Sequence, residues 1–293
     1  MGQFLVAEIL VILFMYLGNS GWDRQPAATQ SQPECKECHS NLLAREQRHY
    51  PVEDACDNCH TSTGASHPSA DSLGFRLMDE IPALCYYCHE EPMPHNFTHL
   101  PYVKGECLAC HDAHGSAGPS LLHLPDPELC LDCHRRDYRT DSTETHNIKR
   151  LVSGRMKAHS AIDLDGCLSC HLSHGSAFRA LLMDHYPEEN YLPALAENFA
   201  LCFQCHDTDL INARETEWGT GFRNGTTNLH WLHIHGNKGR NCRMCHNLHG
   251  SASPFLIEEQ VVFGHWEMRI NFIPDELGGS CFPGCHGKLS YRR

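Results

Sequence analysis

The residues of this sequence best suited to chemistry are its cysteines, which occur in closely spaced pairs that are each followed at once by a histidine. The 293 residues contain 18 cysteines, and all of them fall into nine such pairs. Eight pairs read C-x-x-C-H, which is the attachment signature of c-type haem, and the last reads C-x-x-x-C-H. We number these sites 1 to 9 along the chain: Cys35/Cys38/His39, Cys56/Cys59/His60, Cys85/Cys88/His89, Cys107/Cys110/His111, Cys130/Cys133/His134, Cys167/Cys170/His171, Cys202/Cys205/His206, Cys242/Cys245/His246 and Cys281/Cys285/His286.

The spacing within each motif suits one covalent haem. Cysteines at positions i and i+3 and a histidine at i+4 lie on one face of a single helical turn. Both thiols can then bond the haem vinyl groups while the histidine coordinates iron from the same side. At site 9, Pro283 and Gly284 suit the extra residue, because proline breaks helices and glycine tolerates unusual dihedral angles. We therefore predict nine haem c groups, with all 18 cysteines as attachment points and the nine motif histidines as iron ligands.

Three other uses of paired cysteines agree less well with this pattern. Zinc sites do not require a histidine beside the second cysteine of every pair. A disulfide framework does not impose one short spacing on all of its cysteines. Thioredoxin-like redox pairs occur once or twice in a domain, whereas this chain has nine pairs.

Further histidines are available for the opposite side of each iron. After the nine motif histidines, fifteen of the 24 histidines remain. Some of them recur around the motifs of sites 2, 4, 6 and 8, which we call the elaborated sites; sites 1, 3, 5 and 7 are the simple sites. A leading histidine lies seven or eight residues before the first cysteine of each elaborated site, and a His-Gly pair usually follows the motif. We predict as distal ligands the leading histidines His49, His99, His159 and His235 and the His-Gly histidines His114, His174 and His249.

The position of the His-Gly histidines restricts which iron they can serve. His114 lies three residues after His111, on the same turn, so these two cannot hold one iron from opposite sides. If His114 is a ligand, it serves a different haem, and one turn brings two haems close together. His265 is a further candidate, for the ninth iron. Methionine is the competing axial ligand, but the methionines beyond the leader share no repeated spacing and are expected to pack against haem.

The elements that position these side chains are expected to be short. Only 9% of residues are Phe, Trp or Tyr, so side chains alone would form a thin core. We predict a fold that is mostly irregular with short α-helices, cored by haem, with little or no β-sheet. Each motif should form a one- or two-turn helix, ended at the elaborated sites by the glycine of His-Gly. Longer helices are expected at residues 79–89, 193–206 and 258–269, and a surface loop within residues 207–241.

The first residues differ in composition from the remainder of the chain. Residues 4–17 are apolar except for Glu8, which favours a signal peptide, with a retained membrane anchor as the alternative. A polar spacer follows, so we predict a leader with spacer over residues 1–34. Residues 35–293 form a nonahaem domain of four simple/elaborated pairs plus the terminal site. Because haem c is attached outside the cytoplasm, the chain is expected to be exported, to the periplasm or the cell exterior.

The net charge indicates the kind of partner. A formal charge of −13 argues against nucleic acid, whose binding depends on Lys and Arg neutralising phosphates. A redox partner protein that docks through a basic patch is the natural counterpart. The sequence does not identify the electron donor or acceptor.

The elaborated motif, C-x-x-C-H-x-x-H-G-S with a leading histidine and a trailing Leu-Leu (Leu121-Leu122 and Leu181-Leu182), resembles the doubled-CXXCH multihaem cytochromes c. The resemblance extends over about residues 35–286. It implies bis-histidine, low-potential haems arranged in a chain and electron transfer in the periplasm or at the cell surface. It further implies partners such as an outer-membrane porin, or self-assembly into filaments. At site 2, Thr63-Gly64 replaces His-Gly, and His67 is the substitute ligand.

The sequence favours an electron-transfer protein over an enzyme, with no catalytic residues. The principal alternative is a multihaem reductase of a nitrogen or sulfur oxyanion, which needs an iron with an open site. Such sites are often marked by a lysine in place of the motif histidine, and none of the nine motifs has this replacement. A filament-forming conductor is the third interpretation.

Overall fold

The computed structural model describes residues 34–91, 95–139 and 144–293. The chain divides into two compact units, of which the first ends at Ser40 and the second runs from Asn41 to Arg293. The described part of the first unit contains site 1 on one helical turn. The predicted leader and most of its spacer lie outside the described residues.

The α-helices are all short, with four to six residues each. Those at sites 1, 3, 5 and 7 hold the first cysteine of a simple motif. The α-helices of the described residues are Cys35–Cys38, Ser40–Leu43, Ala83–Tyr86, Leu100–Val103, Glu128–Cys133, Ile148–Leu151, Ser160–Asp165, Ala200–Phe203, Asp209–Asn212 and Leu229–Ile234.

The elaborated sites form a tighter turn. Each begins a 3-10 helix at its first cysteine, and in sites 4, 6 and 8 the motif histidine then enters an isolated bridge to the residue eleven positions later, for example His111 to Leu122. This extended exit explains why the turn is not continued as an α-helix. The 3-10 helices are Tyr50–Val52, Cys56–Asn58, Cys107–Ala109, Pro119–Leu121, Cys167–Ser169, Arg179–Leu181, Ala196–Phe199, Cys242–Met244 and Pro254–Leu256.

The strands have two to four residues each and form small antiparallel sheets. Within the described residues, eight sheets are made by the pairs Gln47–Arg48 with Gly115–Ser116, His60–Ser62 with Phe75–Leu77, Phe97–Thr98 with Gly175–Ser176, Tyr138–Arg139 with Glu144–Thr145, Lys157–Ala158 with Gly250–Ser251, Arg223–Asn224 with Thr227–Asn228 and Gln260–Phe263 with Trp266–Arg269, and by the three strands Ile273–Asp275, Gly278–Cys281 and Leu289–Arg292.

Three of these pairs repeat one connection along the chain. In each, the strand that precedes a leading histidine pairs with the Gly-Ser of the next elaborated site. The register is the same each time, so that Arg48 faces Gly115, Thr98 faces Gly175 and Ala158 faces Gly250. We call this arrangement the strand ladder. It ties each repeat to the following one, as in repeat proteins whose stability depends on neighbour contacts.

The predicted fold class is confirmed, with three local corrections. Residues 258–269 form the hairpin Gln260–Phe263/Trp266–Arg269 and not a helix, since Val261, Val262 and Phe263 favour a strand and Gly264, at φ +61°, makes the turn. The glycine of His-Gly does not end a helix but lies in a strand of the ladder. The other two predicted helices are shorter than expected.

Side chains form only small cores. One consists of Met244, Val261, Met268 and Ile270, and another of Phe199, Ile211 and Ile234. Many large apolar side chains of the described residues are exposed, among them Leu164 at 80% and Leu73 at 82%. This distribution fits a chain whose interior depends on a group other than side chains.

Among the described residues, no helix combines the length and apolar character that crossing a membrane requires.

Candidate haem sites

The motif histidines of three elaborated sites are held by one repeated device. The Nδ1 atoms of His111, His171 and His246 lie 2.7, 2.9 and 2.9 Å from the carbonyl oxygens nine residues later. A histidine that donates Nδ1–H to a carbonyl has its other nitrogen, Nε2, free to coordinate a metal. The tautomer and the ring direction are therefore set for iron binding.

The accepting carbonyls belong to residues in a backbone conformation that is rare for non-glycine residues. Ser120, Ala180 and Phe255 have φ of +54°, +56° and +60°. Such a conformation carries strain and persists only where the surroundings hold it. Here it aims a carbonyl at the motif histidine. The motif spacing alone does not predict this device.

Each motif histidine of sites 2 to 9 faces a second histidine across a gap. In all eight pairs the ring centroids are 5.9 to 6.4 Å apart. The pairs, in site order, are His60 with His114, His89 with His49, His111 with His174, His134 with His99, His171 with His249, His206 with His159, His246 with His230, and His286 with His233.

This gap fits a haem iron. Metal–imidazole bonds are about 2 Å long, so an iron midway between two imidazoles requires ring centroids roughly 6 to 6.5 Å apart. The observed distances fall at this value in eight independent places. The residues present therefore fit haem with a histidine on each face.

Site 1 lies in the first compact unit and is described by itself. His39 follows the helix Cys35–Cys38, and its backbone N–H donates to the carbonyl of Cys35 at 2.9 Å, so the turn that the motif spacing predicts is formed. The imidazole of His39 is exposed. Its role as the iron ligand of site 1 rests on the motif and stays a prediction, unlike the motif histidines of the other eight sites, which the facing pairs support.

The strand ladder places the second histidines. The backbone N–H of three leading histidines donates to the carbonyl of a His-Gly histidine: His49 to His114 at 3.2 Å and His159 to His249 at 2.8 Å, with the same bond from His99. The leading histidine then faces the following simple site, while its partner faces the preceding elaborated site. One strand pair thus supplies a histidine to each of two neighbouring sites. His114 faces site 2 and not the motif histidine of its own turn, as the spacing requires.

Sites 8 and 9 receive their second histidines differently. His230 and His233 lie one turn apart on the helix Leu229–Ile234, facing His246 and His286. The fully buried Asn228 caps this helix, with its Oδ1 accepting from the N–H of His230 at 2.9 Å. Both histidines belong to the spare fifteen but are not among the predicted ligands. Their three-residue spacing behind an asparagine cap is the signal that could have found them.

Three histidines selected from the sequence lie elsewhere. The ring of His235 stacks on Trp231, and its Nε2 is 2.5 Å from the carbonyl oxygen of Ile211, a hydrogen bond that occupies the nitrogen a metal would need. The geometry therefore does not support the prediction for His235. His265 is exposed in the turn of the hairpin Gln260–Phe263/Trp266–Arg269 and belongs to none of the eight pairs. His67 contacts Phe75 edge to face, and its role as a substitute ligand stays a prediction.

Burial keeps two of the second histidines, His249 and His230, in the form that binds metal. It lowers the pKa of His249 to about 4, with His171 acting in the same direction. It also lowers the pKa of His230 to about 4, with a smaller contribution from His246. Imidazoles with such pKa values are neutral at pH 7, as coordination requires.

Cysteines of consecutive sites approach each other. The side chains of Cys85 and Cys107 lie close together, as do those of Cys130 with Cys167 and Cys202 with Cys242. These contacts join sites 3 and 4, 5 and 6, and 7 and 8. Every cysteine of the chain lies in the described part, and none forms a disulfide. The structure therefore argues against the disulfide framework.

These three contacts are made by the first cysteine of each motif, whereas the second cysteine closes the motif turn. The backbone N–H groups of Cys88, Cys170 and Cys205 each donate to the carbonyl of the first cysteine of their motif, at 3.2 Å in all three. The same bond is made by Cys59, Cys110 and Cys245. The turn thus brings both cysteines of a motif together, as attachment to one haem requires.

The thiols of these second cysteines differ in their surroundings. Cys88 and Cys205 are exposed, and Cys170 is half-buried with the Ser169 hydroxyl 3.8 Å from its Sγ. Cys285 of site 9 is exposed as a residue, but its Sγ lies 3.3 Å from Sδ of Met268. A thioether bond at these four cysteines, as at the other motif cysteines, stays a prediction that the motif supports.

The motifs define the chain as a c-type cytochrome with covalently bound haem. Residues 49–94, 99–138 and 159–210 match the family model described as the doubled CXXCH motif. The predicted resemblance to the doubled-CXXCH cytochromes is thus confirmed over these three regions. Each matched region holds one elaborated site followed by one simple site, whereas the pairs predicted from the sequence have the opposite order. No curated protein matches the chain.

Proposed function

We propose that this protein carries electrons along nine covalently bound haems, each with a histidine on both faces of the iron. The observation that carries the proposal is the set of eight facing histidine pairs with ring centroids 5.9 to 6.4 Å apart. A histidine at both axial positions leaves no coordination site for a substrate. This arrangement favours electron transfer over reduction of an oxyanion.

Haem supplies the one-electron chemistry, and the chain sets ligation and spacing. The turn from His111 to His114 offers ligands to sites 4 and 2, so these two haems must be neighbours. Equivalent turns join site 6 to site 4 and site 8 to site 6. Together with the cysteine contacts between sites 3 and 4, 5 and 6, and 7 and 8, they support a continuous series of close haems. Short separations of this kind are what rapid electron transfer requires.

The ligand environment favours low potentials. Two imidazoles stabilise ferric iron more than a methionine would. The carbonyls that accept from Nδ1 of His111, His171 and His246 increase the basicity of these ligands. We propose a function outside the cytoplasm, where haem c is attached, with redox partners that complement the charge of −13.

Two measurements on the purified holoprotein test the proposal. Its intact mass should exceed that of the mature polypeptide by nine haems. Low-temperature paramagnetic resonance should show only low-spin ferric iron. A mass corresponding to fewer haems would exclude the nonahaem protein, while a stoichiometric high-spin signal would identify an open iron and support the reductase instead.

A further inference from the structure

A single carboxylate lies where sites 5 and 6 meet. Asp126 accepts the backbone N–H groups of Cys167 and Leu168, each at 2.9 Å, one on each carboxylate oxygen. The Sγ atom of Cys130 is 3.9 Å from the same carboxylate. The two oxygens therefore hold the start of the site 6 motif while the charge rests against the attachment points of both haems.

The backbone at Gly166 packs closely against this carboxylate. Gly166, at φ +74°, directly precedes the site 6 motif, and a Cβ atom at this position would overlap the carboxylate of Asp126. The glycine thus permits the close approach of the charge. Among the described residues, no Lys or Arg forms an ion pair with Asp126. Within that part of the chain, its negative charge is opposed by backbone dipoles.

The charge also lies close to the histidine that would bind the site 6 iron. Asp126 holds the N–H of Cys167, and His171 follows four residues later in the same motif. A negative charge near an iron favours ferric over ferrous iron, because reduction adds an electron to that centre.

The junction between sites 3 and 4 has an uncharged residue at the equivalent position. Ile81 lies four residues before Cys85, as Asp126 does before Cys130. The first cysteines again lie close together there, Cys85 beside Cys107. The two junctions therefore share the cysteine proximity and differ in the charge at this position.

We propose that Asp126 is a positioning residue whose charge lowers the reduction potentials of the haems at sites 5 and 6 relative to those at sites 3 and 4. The inference rests on the proposed function, because it assumes haems at these sites with the facing histidines as ligands. It adds a residue outside the motifs that sets an energy step within the haem series.

The test uses distal-ligand variants to mark one haem at a time. His99→Ala should make the site 5 haem high-spin, and His49→Ala should do the same at site 3, so that the potential of each marked haem can be followed by redox titration with paramagnetic resonance. Adding Asp126→Asn should raise the potential of the marked haem in the His99→Ala protein. Unit charges several ångströms apart predict a change of roughly tenfold or more in its reduction equilibrium. The same addition to the His49→Ala protein should leave the marked haem unchanged.

The reciprocal variant keeps the test independent of how well Asp126→Asn folds. Ile81→Asp in the His49→Ala protein should lower the potential of the site 3 haem. The proposal is overturned if either marked potential fails to move in the stated direction, or if Asp126→Asn only reduces the haem content. Absence of a high-spin signal in the His99→Ala protein would instead count against the ligand assignments of the proposed function.

Discussion

The strand ladder and the helix Leu229–Ile234, which we call the C-terminal helix, both position second histidines, but they do so in different ways. In the ladder, each pair of second histidines is held by two short strands from different repeats, and their backbones bond directly to one another. At sites 8 and 9, His230 and His233 lie on one six-residue helix held by the single buried side chain of Asn228. The difference shows that a site can receive its second histidine from the following repeat only where that repeat has a leading histidine and a His-Gly pair. Site 8 is followed by site 9, which has neither of them. Sites 8 and 9 therefore take their second histidines from a helix nearby in the sequence.

The largest expected effect comes from removing the side chain that holds the C-terminal helix. Asn228→Ala removes a cap and leaves the carbonyls of Asp209, Leu210 and Ala213 without its Nδ2 donor. We expect a loss of about 3 kcal/mol or more in the free energy of unfolding, and high-spin iron at sites 8 and 9. Denaturant titration and paramagnetic resonance provide the measurements.

Asn147→Ala is the matched control, because Asn147 caps the helix Ile148–Leu151 through one bond, to the N–H of Arg150. It should cost about 1 kcal/mol and leave all irons low-spin. Equal effects of the two variants would contradict the special role of the C-terminal helix.

A glycine in the ladder should be nearly as sensitive. The Cβ atom added by Gly250→Ala would overlap the backbone carbonyls of Leu151 and Lys157, which can move only with their helix and strand. We expect a loss of about 1–3 kcal/mol and displacement of His159 and His249, so that sites 6 and 7 lose low-spin character.

Gly175→Ala, in the ladder strand pair Phe97–Thr98/Gly175–Ser176, offers a comparison. The three atoms nearest to its added Cβ would all belong to the side chain of His95, whose ring can rotate away. A smaller change in stability and spin state is expected there. If Gly175→Ala is the more damaging of the two, backbone crowding is not what limits the ladder.

A single second histidine should control a single iron. His174→Ala should convert site 4, whose motif histidine His111 it faces, to high spin and raise one potential, while site 6 on its own turn stays six-coordinate. Haem content should remain at nine, because attachment depends on the cysteines. His235→Ala is the control and should leave every iron low-spin. A spectrum unchanged by His174→Ala would count against the same assignment for His114 and His249.

The smallest effect is expected at Ser251, a ladder residue whose hydrogen bonds involve no candidate ligand. Ser251 is buried; its Oγ donates to the carbonyl of Ile257 at 2.6 Å and accepts from the N–H of Ser253 at 3.1 Å. Ser251→Ala should cost about 1 kcal/mol and leave the haem spectra unchanged. A change in spin state would show that the ladder transmits strain to iron more readily than its geometry indicates.

How far the sequence predicts the sites depends on how local each signal is. The cysteine motifs and the repeated positions of His99 and His174 are visible in the sequence because the same spacing recurs. Which iron His99 serves is not visible, since the answer depends on strands that pair across about 80 residues. His235 keeps the leading position but faces no motif histidine among the described residues, because the ladder does not continue beyond it. Likewise, site 2 has Thr63-Gly64 in place of His-Gly, and only the simple site 1 precedes it in the sequence. Instead of a ladder strand pair, this segment follows the strand His60–Ser62, which pairs with Phe75–Leu77.

The wrong prediction at residues 258–269 has a related cause. Glu258 and Glu259 followed by a mixed apolar run suggest a helix, but Val261, Val262 and Phe263 are residues that favour strands. The hairpin packs Val261 against Met244 of site 8, and this tertiary contact selects between the two local preferences.

The direction in which the ladder delivers its histidines implies an order of maturation. A chain that is exported from its N-terminus presents His49 before the cysteines of site 3, so that iron can acquire both ligands as soon as its haem is attached outside the cytoplasm. Site 2 must wait for His114, which comes after two further motifs. Sites 4 and 6 wait in the same way, whereas sites 8 and 9 find His230 and His233 already present. During haem attachment the protein should therefore carry, among sites 2 to 9, a small, moving population of five-coordinate haems at sites 2, 4 and 6, which disappears once His249 is present.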